Sequence, residues 1–200
     1  MTEVIEIRGT EEATSRQYRL GHFLTLSVAI LAFLYGLNMR ESITNATTLY
    51  TDVRAGIRVR YPRNWLIDID GDYVFRVRDM TQIGFKTTIQ VSLRPMSADM
   101  TEQNVLNTLH IARAESLFAY DPQSTTPYLL PDNLPATAMT YTYIERDPNP
   151  FLESASYNVT GLDILINTGS QVLIVTFRTD SNRFNDDLPI FEQFLASLEF

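Results

Sequence analysis

Four arginines on two predicted strands are the residues best suited to bind a partner. Arg58 and Arg60 alternate with apolar residues at 57–62, and Arg76 and Arg78 do the same at 73–78. Because residues two apart on a strand point the same way, each pair shares one face. Guanidinium groups bind carboxylates and phosphates through two parallel hydrogen bonds. If the two strands pair, the four arginines form one partner-binding patch.

An ordinary solvated face is the alternative for these arginines. In that case each guanidinium pairs with a neighbouring acid, such as Asp68, Asp72 or Glu145. Isolated surface ion pairs of this kind contribute little to stability or binding. The sequence leaves both interpretations open.

Three aspartates surround Gly71 and have the spacing from which calcium loops are built. Asp68, Asp70 and Asp72 alternate along the chain, but an EF-hand loop needs a glutamate at its twelfth position, where this chain has Asp79 followed by Met80. Acids flanking an Asp-Gly turn between two strands explain the pattern equally well. We therefore predict no metal site.

Catalytic patterns are absent from the sequence. The two histidines, His22 and His110, are far apart, there is no cysteine, and no serine lies in a Gly-x-Ser-x-Gly motif. Zinc would require further His or Cys ligands. Glycine-rich phosphate loops are also missing. The sequence predicts no catalytic residue and no cofactor. A catalytic triad whose members are far apart in the chain would leave no motif in the sequence.

The elements that position these residues follow from hydrophobic periodicity. Alternation with period two predicts a strand at 57–62, a hairpin around Asp70-Gly71, and strands at 89–94, 136–146, 154–167 and 171–179. Helical spacing predicts one helix capped by Thr101 and a second one near the C-terminus, capped by Asn182 or Asn185. The proline-containing segment 120–135 is predicted to be a long surface loop.

Two of the predicted strands are apolar at nearly every position, which indicates burial on both faces. The two predicted helices can each cover one face. The fold class is therefore α+β: an antiparallel sheet of six or seven strands flanked by helices, an alpha-beta-alpha sandwich. A single transmembrane helix is predicted to precede it.

That transmembrane helix is predicted from the apolar stretch Leu20–Met39, which contains no Asp, Glu, Lys or Arg. At about 1.5 Å per residue, twenty residues cross a hydrocarbon core of roughly 30 Å. A cleaved signal would need a small-x-small cleavage site, and a buried core helix would carry a polar stripe. We predict a polar tail at 1–18, the membrane helix at 19–40 and one globular domain at 47–200.

Charge sets the orientation and excludes one class of partner. Arg8, Arg16 and Arg19 precede the span and only Arg40 closely follows it, which predicts a cytoplasmic N-terminus and an extracytoplasmic domain. Residues 41–200 contain 20 Asp and Glu against 12 Lys and Arg, so they carry the whole net charge of −8. An acidic domain is poorly suited to nucleic acid.

The order of elements resembles the PsbP-like family. The resemblance rests on AGIRVRYPRNW (Ala55–Trp65), a strand ending in Tyr-Pro near a Trp, and on the ending IFEQFLASLEF (Ile190–Phe200), and it covers residues 50–200. It implies an alpha-beta-alpha sandwich of the Mog and PsbP type, usually without enzymatic activity. Members often lie on the outer side of bacterial or energy-converting membranes. The chain's single lysine, Lys86, and its own anchor depart from plant PsbP.

The sequence and the resemblance together predict a non-catalytic accessory or assembly subunit. It would be held by lipid contacts of residues 20–39 and would dock on subunits of a larger membrane complex, photosynthetic or respiratory. An extracytoplasmic ligand-binding module, using a cleft under segment 120–135, is the alternative. An unrecognised hydrolase is a third hypothesis.

Overall fold

The computed structural model describes residues 10–44, 46–96, 101–146 and 156–200. The chain divides into two compact units, Met1–Ala46 and Thr47–Phe200. The division agrees with the change from apolar to alternating sequence at Thr47.

The described part of the first unit is one long helix, α1 (Thr10–Thr44). No proline interrupts this range, and the described side chains from 21 to 37 are exposed. Half of the predicted polar tail, residues 1–9, lies outside the described residues. Among the residues searched, no helix is long and apolar enough to cross a membrane. The side chains of Leu20, Asn38 and Arg40 are outside the described set, and the membrane helix at 19–40 stays a prediction.

In its described residues, the second unit contains nine strands and two α-helices. In chain order they are β1 (Thr47–Asp52), β2 (Ile57–Pro62), β3 (Leu66–Asp68), β4 (Phe75–Arg78), β5 (Thr88–Pro95), α2 (Glu102–Ser116), β6 (Phe118–Leu129), β7 (Pro135–Glu145), β8 (Tyr157–Asn167), β9 (Gln171–Asp180) and α3 (Phe184–Ala196).

Seven of these strands form one antiparallel sheet in the order β3-β4-β5-β9-β8-β7-β6. This confirms the predicted α+β class and the predicted strand number. The hairpin of β1 and β2 forms a separate two-stranded sheet. Strands β3 and β4 form the predicted hairpin, but Asp68 pairs with Arg76, so residues 69–74 connect the strands rather than a tight turn at Asp70-Gly71 alone.

The larger core lies on the face of the sheet that α3 and the β1–β2 hairpin cover. Phe75 and Val77 of β4 point into it, as do Val175 and Phe177 of β9. The ring of Phe177 stacks on that of Phe191 with centroids 4.9 Å apart. Burying aromatic side chains of this size removes much apolar area from water, so this layer supplies most of the domain's stabilisation.

The opposite face of the sheet carries a smaller core under α2. Thr101 caps this helix by accepting a hydrogen bond from the Asn104 N–H, as predicted. Val105 and Leu106 pack against a cluster that includes Met139 and Tyr141. Helix α2 and this smaller core occupy one part of the face. Polar and cationic side chains of β4, β5 and β9 occupy another part.

The prediction of a surface loop at 120–135 was wrong for most of that segment. Residues 118–129 form β6, at the edge of the sheet, and only 130–134 make a turn. Pro122 and Pro127 are tolerated because an edge strand has one unpaired side. Two register irregularities, between Phe118 and Asp121 and between Pro122 and Ser124, accompany this pairing.

The C-terminal helix forms as predicted, but its start differs. Asp180 caps a short 3-10 turn at Ser181–Arg183 by accepting from the Asn182 N–H, and α3 follows without a side-chain cap. Pro189 lies inside α3 rather than in its first turn.

A cationic cleft as the candidate functional site

The four arginines predicted to form one patch are divided between two places. Strand β2 pairs with β1, whereas β4 pairs with β3 and β5. The expected pairing of the strands at 57–62 and 73–78 was therefore wrong. Their partner-binding role stays a prediction for each pair separately.

The large core separates the two pairs. Ile57 and Val59 point from β2 into that core, so Arg58 and Arg60 point away from it and are exposed. Arg58 forms an ion pair with Glu199 at 3.7 Å, and the Ser197 hydroxyl accepts from the Arg60 N–H at 3.0 Å. These contacts join β2 to the C-terminal end of the chain.

Arg76 and Arg78 lie on the α2 face of the large sheet, because Phe75 and Val77 alternate with them and face the larger core. Strand register adds a third arginine to this face: Arg78 is paired with Thr88 of β5, and Thr88 with Arg178 of β9. Thr88 is short, so the two guanidiniums face a common space above it.

This space is a cleft with a volume of about 400 Å³. Five cationic side chains line it, which is five of the twelve Lys and Arg in residues 41–200. They are Arg76, Arg78, Lys86, Arg146 and Arg178. Among the described residues, the one acid in its lining is Glu145. An acidic domain thus concentrates positive charge in one recess, which we call the cationic cleft.

Asp68 of β3 fixes one side of the cationic cleft. Its Oδ2 accepts hydrogen bonds from Arg76 and from the hydroxyl of Tyr73, and it lies 3.7 Å from Nη2 of Arg78. Hydrogen bonding from Arg76, and then from the backbone of Asp70, lowers the pKa of Asp68 to about 2. This carboxylate is therefore ionised and engaged by arginines, which is not the arrangement of a calcium loop.

Three arginines of the cleft have a buried nitrogen without an acceptor. Nε of Arg76, Arg78 and Arg178 is inaccessible to water and makes no hydrogen bond to the described residues. A buried donor without a partner carries a free-energy cost of about 1–3 kcal/mol. The side chains of Arg76 and Arg78 are nevertheless 27% and 35% exposed, so a group in the recess reaches other atoms of these side chains rather than Nε.

The loop between β4 and β5 forms the second side of the cleft and supplies Phe85 and Lys86. Asp79 closes this loop: its N–H donates to the Thr87 carbonyl at 2.9 Å, and its carboxylate accepts from Gln82 at 2.9 Å. The Thr87 hydroxyl donates to the buried carboxylate of Asp187 at 2.7 Å, which fixes the loop to α3.

Gly84 allows this loop to approach the start of β8. Its φ is +87°, a conformation in which side chains are strained, and a Cβ there would lie 2.8 Å from the ring of Tyr157. Tyr157 and Phe85 are both in the lining of the cleft. The ammonium of Lys86 donates to the Gln82 carbonyl in the same loop.

Tyr143 forms part of the third side, beside Glu145 and Arg178. Burial raises the pKa of Tyr143 to about 12, with the charge of Arg178 acting in the opposite direction. Its phenol is thus neutral at physiological pH. Arg146 packs at 3.4 Å over the ring centroid of Phe118, a cation-π contact at the outer rim.

A second polar cluster holds α2 on the sheet. Asp163 of β8 is fully buried and forms an ion pair with Arg113 of α2. The Arg113 guanidinium lies 4.4 Å from the ring centroid of Tyr141. Burial raises the pKa of Asp163, and the charge of Arg113 opposes that shift. This cluster is enclosed and has a structural role.

Other predicted candidates do not assemble into a chemical site. His110 contacts the Tyr120 hydroxyl through Nδ1 at 2.7 Å, and His22 lies on α1 in the other unit. Among the described residues, no three His, Asp or Glu side chains are grouped as metal ligands would be.

Sequence reasoning found two of the five cations in the cleft. It missed Arg178, Lys86 and Arg146, which come from a distant strand, a loop and a strand end. Arg178 carried a signal, since it interrupts the otherwise apolar and neutral run 172–179. Only the strand order brings it beside Arg78.

The comparisons with known proteins concern the fold. No family model and no curated protein sequence matches the chain. The solution structure of cyanobacterial PsbP (CyanoP) from Synechocystis is similar, with a TM-score of 0.58 and 13% identity over 77% of this chain and 92% of that one.

Two crystal structures are similar at a TM-score of 0.50. LpqN of Mycobacterium tuberculosis, involved in cell envelope biogenesis, has 12% identity over 76% of this chain and 89% of its own. PA94 of Pseudomonas aeruginosa, a protein of unknown function described as a putative regulator, has 14% identity over 78% and 98%. The resemblance to the PsbP-like family is thereby confirmed for the fold.

Proposed function

We propose that the protein is a non-catalytic accessory or assembly subunit, anchored in a membrane by α1, whose second unit docks on a larger membrane complex. The observation that carries this proposal is the cationic cleft. An acidic domain that gathers five of its twelve cations in one recess is suited to an acidic surface on a partner.

The side chains of α1 support the anchor. Apolar residues around the helix are exposed, from Phe23 (70%) and Leu24 (71%) to Phe33 (67%), so their burial requires a surrounding apolar medium. Thr25 donates its hydroxyl to the Gly21 carbonyl at 2.9 Å, which satisfies this polar group within the helix. The stretch Leu20–Met39, which has no Asp, Glu, Lys or Arg, contains about the 20 residues needed for a span.

The distribution of arginines gives the proposed orientation. Arg8, Arg16 and Arg19 precede the apolar stretch, and Arg40 alone closely follows it. Cytoplasmic loops carry the excess of Lys and Arg. We therefore propose a cytoplasmic N-terminus and an extracytoplasmic second unit in the cell membrane.

The similar solved structures are consistent with an accessory role. One is a cyanobacterial PsbP and another a protein involved in cell envelope biogenesis. A photosynthetic or respiratory complex is the partner that the PsbP resemblance suggests. We propose no nucleic-acid partner, given the net charge of −8.

Affinity purification of the full chain from its native membranes in mild detergent tests the docking proposal. We expect a multi-subunit complex to co-purify, and we expect Arg76→Gln with Arg78→Gln to reduce its yield at least fivefold. The matched control is Arg54→Gln with Arg94→Gln, in the cavity beside Tyr50, which should leave the yield unchanged. Unchanged co-purification in the Arg76 and Arg78 variant, with the fold intact by circular dichroism, would refute docking through the cleft.

The recessed shape of the cleft favours a second candidate function, an extracytoplasmic ligand-binding module. Ligand sites are concave and combine apolar walls with a few convergent polar groups. The cationic cleft has this form, with Phe85, Tyr143 and Tyr157 beside its cations. Its position differs from the predicted one, which corresponds to the open groove between α2 and β6.

A further inference from the structure

We propose that the cationic cleft binds a doubly charged phosphoryl group, carried by a small phosphate monoester or by a lipid headgroup that ends in a phosphate monoester. The inference rests on the second candidate function, the ligand-binding module, and names its ligand class. It concerns Arg76, Arg78, Arg178 and Lys86.

Charge selects a dianion. The cleft lining holds five cations and one acid, Glu145. Asp68, engaged by Arg76 and close to Arg78, offsets one further charge. Among the described residues, about three positive charges therefore remain without an acidic partner. A monocarboxylate would neutralise one of them, whereas a phosphate monoester carries about −1.5 to −2 at pH 7.

The donors of the cleft match the acceptors of a phosphoryl group. The side chains of Arg76 and Arg78 are 27% and 35% exposed, so part of each guanidinium can be reached from the recess. A phosphoryl group presents three acceptor oxygens, and arginine binds phosphate through two parallel hydrogen bonds.

The size and walls of the cleft call for an organic group as well. A volume of about 400 Å³ exceeds what a phosphoryl group fills alone. The remaining lining includes the rings of Phe85, Tyr143 and Tyr157, which can pack against a carbon chain or ring. A phosphate ester therefore fits better than inorganic phosphate.

Two other cavities in the described domain lack this charge excess. The open groove between α2 and β6, about 690 Å³ and lined by Ile111, Tyr120 and Pro122, has His110 as its one titratable nitrogen side chain. In the cavity beside Tyr50, Arg54 and Arg94 are balanced by Asp52 and Asp72. The inference is specific to the cationic cleft.

Calorimetric titration of the full chain in neutral detergent tests the inference. We use glycerol 3-phosphate as the soluble probe and dioctanoyl phosphatidic acid as the lipid probe, with succinate and dioctanoyl phosphatidylcholine as controls. Binding of glycerol 3-phosphate identifies a small-molecule ligand, and binding of phosphatidic acid alone identifies a headgroup. Either result supports a phosphoryl site if the control of the same kind binds at least tenfold more weakly.

Variants locate the site. Arg178→Gln should weaken binding of the effective probe at least tenfold, and Arg54→Gln with Arg94→Gln, in the cavity beside Tyr50, should leave it unchanged. If Arg178→Gln does not fold, Lys86→Gln at the loop provides the same test. Equal affinity for succinate, no binding of either phosphate probe, or equal losses in cleft and control variants would overturn the inference. These readouts are independent of co-purification with a complex.

Discussion

Asp68 shows how one carboxylate organises the cleft at the scale of single residues. It accepts hydrogen bonds from Arg76, the Asp70 N–H and Tyr73, and these lower its pKa to about 2. A carboxyl group whose pKa is lower in the folded than in the unfolded state stabilises the fold above the unfolded-state pKa of 3.8. That contribution is lost as the pH falls from about 4 toward 2.

We expect Asp68→Asn to lower the urea midpoint of unfolding at pH 7, because Arg76 loses its charged acceptor. The difference from the wild type should shrink as the pH is lowered from 4 to 2, where the wild-type carboxyl also becomes protonated. Fluorescence of the buried Trp65 reports unfolding. Asp72→Asn, at an exposed position of the same turn, is the control. A difference that stays constant with pH would contradict this role.

The ion pair of Arg113 and Asp163 is the second charged contact whose removal should lower the free energy of unfolding. Asp163 is fully buried, and the Arg113 side chain is 13% exposed. Removing one partner leaves an uncompensated charge in the interior, whereas replacing both with apolar residues is often nearly neutral.

We expect Arg113→Met to reduce the free energy of unfolding at pH 7 by about 3–5 kcal/mol. Because burial raises the pKa of Asp163, the stability of the variant should recover as the pH is lowered and this carboxyl takes up a proton. Chemical denaturation from pH 7 to pH 5 checks both points. Adding Asp163→Leu should restore most of the loss, and exposed Arg94→Met should change stability by less than about 0.5 kcal/mol. A stable single variant would contradict the argument.

At the scale of elements, the loop between β4 and β5 decides whether the cleft exists. Its ends are held by Asp79 and Thr87, and its middle passes close to Tyr157 at Gly84. Loops of this kind position binding groups on a rigid sheet. Here the loop places Lys86 and Phe85 opposite the arginines of the strands.

We expect Gly84→Ala to destabilise the domain and to weaken phosphate-ester binding, because the new Cβ is strained by the backbone and displaces the Tyr157 ring. Gly169→Ala is the matched control: Gly169 has a φ of +92°, and a Cβ there meets nothing within 4 Å. Both variants should lose about 1–2 kcal/mol from the backbone term. Only Gly84→Ala should lose stability beyond this amount in thermal unfolding and weaken ligand binding in the calorimetric titration. If the two variants change stability and binding equally, the Tyr157 contact is unimportant.

At the scale of the whole molecule, two units of different composition share one chain. The first is a long helix with exposed apolar side chains, and the second is an acidic domain with a cationic cleft. Anchoring of the first unit would hold the second at a high effective concentration beside membrane partners. The orientation of the chain then decides which compartment the cleft faces.

We expect an alkaline phosphatase fused after Phe200 to be active. A fluorescent protein that folds only in the cytoplasm should be dark when it is fused at the same position. The cause is the excess of arginines ahead of the apolar stretch. Fusions of the same two reporters before Met1 are the control and should give the opposite pattern. A dark N-terminal fluorescent fusion and an inactive C-terminal phosphatase would reverse the proposed orientation.

The sequence alone determined most elements of the second unit, because their signals are local, but it did not predict β1 or β6. Alternation with period two located most strands, the Asp70-Gly71 pair located the hairpin of β3 and β4, and Thr101 located the start of α2. The prediction for segment 120–135 failed because prolines occur both in turns and in edge strands. Only its pairing with β7 distinguishes the two.

Tertiary structure decided the candidate site. Period-two alternation showed that Arg76 and Arg78 share a face, but strand order is set by contacts between residues far apart in the chain. Pairing of β5 with β9 brings Arg178 beside them, and pairing of β2 with β1 leaves Arg58 and Arg60 beyond the large core. Local patterns fix the direction of a side chain within its strand, and only the assembled sheet fixes which charges meet.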